Sequence, residues 1–264
     1  MRVQLAALAL AHRRDGSVRH LLFSLGDLKS GATSRLDASG VRSADVIIDA
    51  SRGLWARVFS PSPAAEADAE PAPVPVVVYF HGGSPWRTTT ASRHTAMAYD
   101  DSVAALRYLD ANADSLLAAH VPVDLSSRLL AGDSAGGNIT HHVSQRWAAA
   151  SASASASLPA NLRIADAVLI QPFFGGEERT AAEVALDGVS ALSVAGTDHY
   201  WREFLPEGAT RDHEAARLCG EGVELADALA MPQAVSTGRG GRCWLCPRRF
   251  PPARPRTCWR GCRS

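Results

Sequence analysis

Residues 132 to 138, Gly-Asp-Ser-Ala-Gly-Gly-Asn, place a serine between small residues directly after the apolar run Leu129, Leu130, Ala131. A Gly-x-Ser-x-Gly turn set between a strand and a helix drives the serine backbone into a sparsely populated conformation and lifts its hydroxyl clear of the sheet. The flanks agree with this reading. Residues 128 to 132 read as a short buried strand, and Ile139, Val143, Arg146 and Trp147 recur at helical spacing from Gly136 onward. Ser134 is the candidate nucleophile, and Gly132, Asp133, Gly136 and Gly137 are the residues that shape its turn. A plain strand-turn-helix with a serine N-cap is the competing reading of the heptapeptide taken alone.

A second motif weighs against that plainer reading. Residues 76 to 83, Val-Val-Val-Tyr-Phe-His-Gly-Gly, form a β-branched and aromatic run ending in His81, Gly82 and Gly83. Glycines after a buried strand let backbone N–H groups approach a ligand unobstructed, and acyl transfer needs such donors for its tetrahedral oxyanion. Gly82, Gly83 and the N–H of Ala135 are the expected oxyanion hole.

With these two motifs the chain resembles the plant carboxylesterases of the hormone-sensitive-lipase type, the family that also gave rise to the gibberellin receptors. The likeness extends through Arg13-Arg14-Asp15-Gly16-Ser17, Ala98-Tyr99-Asp100-Asp101, Gln171-Pro172-Phe173-Phe174-Gly175-Gly176 and Arg211-Asp212-His213. The resemblance implies an α/β-hydrolase with a doubly wound, mostly parallel sheet and a lid built partly from the N-terminal segment. It also implies hydrolysis of small esters by a serine nucleophile without cofactor or metal. Phe173 and Phe174, just after a strand end, are the pocket candidates.

The chain departs from the family pattern in three places. Ser84 stands where the family carries a further glycine after His-Gly-Gly. Residues 84 to 98 contain no β-branched run of strand length, although the family inserts a strand there. One core strand is therefore expected to be missing. The helix that should follow it is present, with Tyr99, Val103, Leu106 and Leu109 on one face. Its loss should leave neighbouring strands unpaired. The C-terminal strand of the fold is also expected to be lacking.

The triad acid and histidine are the third departure. A serine needs a histidine to take its proton and a carboxylate to orient that histidine, in chain order serine, acid, histidine. His141 and His142 lie roughly 10 to 12 Å along the helix from Ser134 and read as packing or surface residues. His199 and His213 remain, with Asp166, Asp187, Asp198 and Asp212 as possible acids, but none matches the family's triad positions. Both partners of Ser134 stay unassigned.

Residues 238 to 264 differ in character from everything before them, with eight arginines, four cysteines and no acidic residue. Over the chain as a whole acidic and basic residues balance, 27 against 27, for a formal net charge of zero. The segment reads as a frameshifted or misspliced product and as disordered. A zinc knuckle through Cys243, Cys246, Cys258 and Cys262 is the alternative, but the Pro- and Arg-rich stretch between the pairs offers little to pack around a metal.

A hydrophobic content of 46% over 264 residues suffices for a sizeable core. No apolar run approaches the ~20 residues of a membrane span, and the balanced charge shows no bias toward nucleic acid. Residues 2 to 11 resemble a short signal peptide but are interrupted by Gln4, and they read as a retained amphipathic helix. Cys219 stands alone outside the tail, which fits a cytoplasmic setting. The expected organisation is a lid segment over 1–44, an incomplete hydrolase domain over 45–235 and an aberrant tail over 236–264. The expected function is a serine carboxylesterase acting on small esters, impaired by the absent triad partners. A noncatalytic binder of a small hydrophobic ligand, like the gibberellin receptors, is the alternative. Substrate and oligomeric state do not follow from the sequence.

Overall fold

The computed structural model describes residues 31–62, 73–83, 94–117, 123–152, 162–187, 193–217, 233–237 and 243–244. The expected N-terminal helix and Ser84 lie outside these residues, as do Cys219, Cys246, Cys258 and Cys262.

Two strand-forming runs separated by a turn make a hairpin, β1 (Val41–Asp49) paired antiparallel with β2 (Leu54–Pro61). Asp49 organises the turn: its Oδ1 accepts from the Ser51 N–H at 2.9 Å and the Ser51 hydroxyl at 2.6 Å, and its Oδ2 pairs with Arg52 at 2.7 Å. The other guanidinium arm of Arg52 reaches Asp101 at 2.6 Å, tying the hairpin to helix α1 (His94–Leu117).

The second sheet has five strands in the order β3 (Val74–Phe80), β4 (Val123–Asp133), β5 (Ile164–Ile170), β6 (Gln233–Thr237) and β7 (Cys243–Trp244). The first four run parallel, and β7 closes the series antiparallel. Parallel neighbours need crossover connections, and α1, before β4 in the chain, and α2 (Ala135–Ala152), after it, supply them. The short β7 falls in the segment expected to be irregular, where it pairs with the edge of β6.

Among the described residues, no strand joins β2 to β3. Residues 84–93, most of the stretch where a core strand was expected to be absent, lie outside the described residues. Ile47, Trp55 and Phe59 on the hairpin and Val77 and Tyr79 on β3 are each more than half exposed. These are residue types that a continuous sheet under helices would cover.

The core lies between β4, β5 and the two crossover helices. Leu130, Ala131, Ala167 and Leu169 on the strands and Leu106, Val143 and Trp147 on the helices are all buried. The Trp147 indole donates to the Leu162 carbonyl at 3.2 Å, satisfying its one polar group. Arg128 is also buried, with Asp110 and Asp124 supplying opposite charge. Burial pushes the Asp110 carboxyl up and the Arg128 guanidinium down.

Residues 174 to 217 belong to a separate compact unit. Thr180 and Glu183 form a capping box that starts α3 (Ala181–Leu186), and Ser193 caps α4 (Val194–Phe204). Trp201 and Phe204 on α4 are buried edge to face at 5.9 Å between centroids, so their role here is packing. Beside them Arg211 is buried in an ion network. It meets Asp198 at 2.6 Å and Glu183 at 3.1 Å, while Arg179 meets Asp198 at 2.6 Å.

Candidate active site

Strand β4 ends at Asp133 and α2 begins at Ala135, leaving Ser134 alone at the junction. Its φ is +52°, a left-handed conformation that a residue with a Cβ adopts at a cost of about 1 to 3 kcal/mol. The turn is held on both sides. The Ser134 N–H donates to the Ile170 carbonyl at 3.0 Å, and the Ser134 carbonyl accepts from the Phe173 N–H at 2.8 Å. Gln171, between those two anchors, is the other described non-glycine residue with positive φ, at +43°.

Close backbone approach explains the small residues. A Cβ on Gly136 would strike the Phe80 carbonyl and lie 2.9 Å from the His81 carbonyl carbon. A glycine there lets α2 start directly against the end of β3. Ala135 occupies the first helical position, where the N–H has no intrahelical acceptor.

Asp133 links the two motifs. Its Oδ1 accepts from the Gly82 N–H at 2.7 Å and from the Tyr79 hydroxyl at 2.6 Å. A Cβ on Gly82 would collide with the Asp133 carboxylate and lie 2.8 Å from its carbonyl oxygen. The bond to Asp133 pushes the Tyr79 hydroxyl pKa up. These contacts correct one expectation, because the Gly82 N–H is donated to a carboxylate and is not available to an oxyanion. Gly83, at φ +110°, is the next amide along the loop. His81 is exposed, and its Nδ1 lies 2.8 Å from the carbonyl of Gly82.

Asn138, the last residue of the heptapeptide, is buried. Its Oδ1 accepts from the Tyr99 hydroxyl at 2.7 Å and its Nδ2 donates to the Phe173 carbonyl at 3.2 Å. Phe173 is thereby fixed to the serine turn through both backbone groups. Sequence reading missed the parts played by Tyr79 and Tyr99. Both stand in segments already singled out, but their partners lie 54 and 39 residues away.

The chain has relatives among known proteins. A family model described as alpha/beta hydrolase fold matches residues 89–239. The chain belongs to that family. Gibberellin receptor GID1C of Arabidopsis thaliana is 32% identical to it over 86% of this chain and 72% of the receptor. Carboxylesterase 20 of the same plant is 30% identical over 69% of this chain and 63% of that protein. This chain thus spans less than two thirds of the esterase. A mutant of the esterase rPPE has the same fold, with a TM-score of 0.60 and 16% identity over 89% of this chain and 76% of that one.

Ser134, Gly83, Ala135, Asp133 and Phe173 fall in one unit of the chain, whereas Phe174 begins the other unit. Ser134 Oγ has no hydrogen-bond partner among the described residues. His213 Nδ1 accepts from the Ala215 N–H at 3.1 Å, and His199 packs against Tyr200. Asp198 is held by Arg179 and Arg211, Asp212 by Arg217 at 3.0 Å, and Asp187 accepts from the Val194 N–H at 2.9 Å. His141 is buried on α2 against His142, and burial pushes its pKa down to about 4. Among the described residues, no group of His, Cys, Asp and Glu could hold a metal ion, and no helix is long and apolar enough to cross a membrane.

Proposed function

We propose that this chain carries the acyl-transfer half of a serine carboxylesterase site, with Ser134 as nucleophile toward small esters. The observation that carries the reading is the +52° φ of Ser134 between β4 and α2, because strain of this kind persists where the surrounding structure enforces it for exposure of a reacting group. Ser134 Oγ attacks the ester carbonyl carbon, the developing oxyanion takes hydrogen bonds from the N–H groups of Gly83 and Ala135, and the C–O bond to the alcohol breaks. Water then releases the acid from the acyl-serine. No cofactor enters this chemistry.

Turnover is impaired in this reading, since Ser134 Oγ lacks a described acceptor for its proton. An oxyanion hole without a complete triad still supports roughly 10³ to 10⁴-fold catalysis over water in serine proteases. The same observation favours a second reading, in which the site binds a small hydrophobic ligand without turnover; similarity to a gibberellin receptor supports it. A cytoplasmic setting, and organisation as a lid over 1–44, a hydrolase domain over 45–235 and a tail over 236–264, belong to this proposal as well.

Hydrolysis of a short-chain p-nitrophenyl ester by the purified chain and by Ser134→Ala tests the proposal. Activity in the parent and its loss in the variant support esterase chemistry. A folded parent with no more activity than the variant sinks it and leaves the binding reading.

A further inference from the structure

Nothing in acyl transfer by Ser134 requires a carboxylate beside it, and an uncompensated one would repel the charge that develops on the ester oxygen. Asp133 nonetheless sits in the serine turn, with a single oxygen taking both the Gly82 N–H at 2.7 Å and the Tyr79 hydroxyl at 2.6 Å. The Gly82 backbone lies so close to this carboxylate that no side chain fits between them. The two donors come from the end of β3 and the loop after it, while Asp133 ends β4. These strands are parallel neighbours, with Tyr79 opposite Ala131 and Phe80 opposite Gly132. The carboxylate therefore bridges the ends of two strands at the point where both deliver site residues.

We propose that Asp133 is a positioning residue that latches the His81-Gly82-Gly83 loop to the serine turn, with Tyr79 as the second donor that tempers its charge. The latch commits the Gly82 amide and fixes the His81–Gly82 peptide plane, one plane before that of the Gly83 N–H, so that the oxyanion donors are the amides of Gly83 and Ala135. Tyr79 has two functions in this arrangement. Its hydroxyl shortens the reach of the carboxylate's field toward the ester oxygen, and its bond keeps the carboxylate turned toward the loop. The inference rests on the reading of Ser134 as an acyl-transfer nucleophile.

Capture by a fluorophosphonate probe tests it: the Ser134 Oγ–phosphorus bond forms, fluoride leaves with its electron pair, and the serine proton passes to solvent. The full chain is compared with Asp133→Ala, Asp133→Asn and Tyr79→Phe, reading the maximal labelling rate separately from the half-saturating probe concentration. Asp133→Ala should slow the maximal rate by ~100-fold, the scale of losing one oxyanion donor, with half-saturation changed by no more than about threefold. Asp133→Asn, which keeps a carbonyl acceptor, and Tyr79→Phe should each slow it by roughly tenfold or less. Hydrogen exchange at the ¹⁵N-labelled Gly82 amide should quicken in Asp133→Ala.

Labelling of Asp133→Ala at the parental rate overturns the inference alone, as does an unchanged Gly82 exchange rate. A folded parent that takes no probe overturns the esterase reading and this inference together. Should Asp133→Ala lose its near-ultraviolet circular dichroism, the other two variants decide, and parental rates in both overturn the latch.

Discussion

The Tyr99 hydroxyl donates to Asn138 Oδ1 at 2.7 Å, joining helix α1 to the last residue of the serine motif. Asn138 passes the constraint on, through Nδ2, to the Phe173 carbonyl. Three chain segments thus meet at one buried amide. Tyr99→Phe leaves a buried acceptor short of a donor, and urea unfolding should show a loss of about 1 to 2 kcal/mol. Asn138→Ala should cost more, because it frees Phe173 as well as Tyr99. A parental midpoint in Tyr99→Phe would show that the bond contributes nothing.

Ser134 is strained for exposure rather than for stability. Replacing it with glycine removes the Cβ that makes φ +52° unfavourable and should raise stability by roughly 1 kcal/mol, whereas Ser134→Ala keeps the Cβ and should not. Both variants should lose any ester hydrolysis. Chemical denaturation of the two side by side is the check.

Gly136→Ala should be far more damaging than a methyl group suggests. Its Cβ strikes the Phe80 carbonyl, part of the backbone where β3 ends, and no rotamer relieves that contact. A loss of about 3 kcal/mol or more, or failure to accumulate folded protein, is expected from overpacking at rigid backbone. An alanine variant that melts like the parent would show that the helix start can shift without cost.

His141 gives the fold a pH dependence of definite sign. Burial holds its pKa near 4 against an ordinary 6.5, so the native state keeps it neutral while the unfolded chain takes up a proton. Its contribution is constant above pH 6.5 and is lost as pH falls from 6.5 toward 4, by at most about 3 kcal/mol. Asp110 acts in the opposite sense. Burial raises its pKa, so the native state binds that proton first and gains stability as pH falls through the carboxylate range. Thermal melts of His141→Gln should lose the slope between pH 6.5 and 4 that the parent shows.

The edge of β3 carries Val77 and Tyr79 more than half exposed, with no charged residue between Val74 and Phe80. Exposed apolar edges pair with other chains. Val77→Lys should reduce concentration-dependent light scattering while leaving circular dichroism unchanged; equal scattering would remove the edge as the cause.

Local chemistry made much of this molecule legible. The Val-rich run before His81 and the apolar run before Gly132 became parallel strands. The Gly-x-Ser-x-Gly segment became a strained serine at a helix start, because strand pattern, glycine spacing and helical periodicity all act within a few residues. Element lengths were less legible: β4 begins at Val123 rather than near Arg128. What only tertiary structure decided is which polar groups meet. Gly82 looked like an oxyanion donor until β3 and β4, aligned side by side, brought the Asp133 carboxylate to its amide, and no local pattern encodes a hydrogen bond spanning 51 residues. Periodicity reports which face of an element is buried, whereas the partner of a buried donor depends on strand order and register, which are set by the packing of the whole sheet.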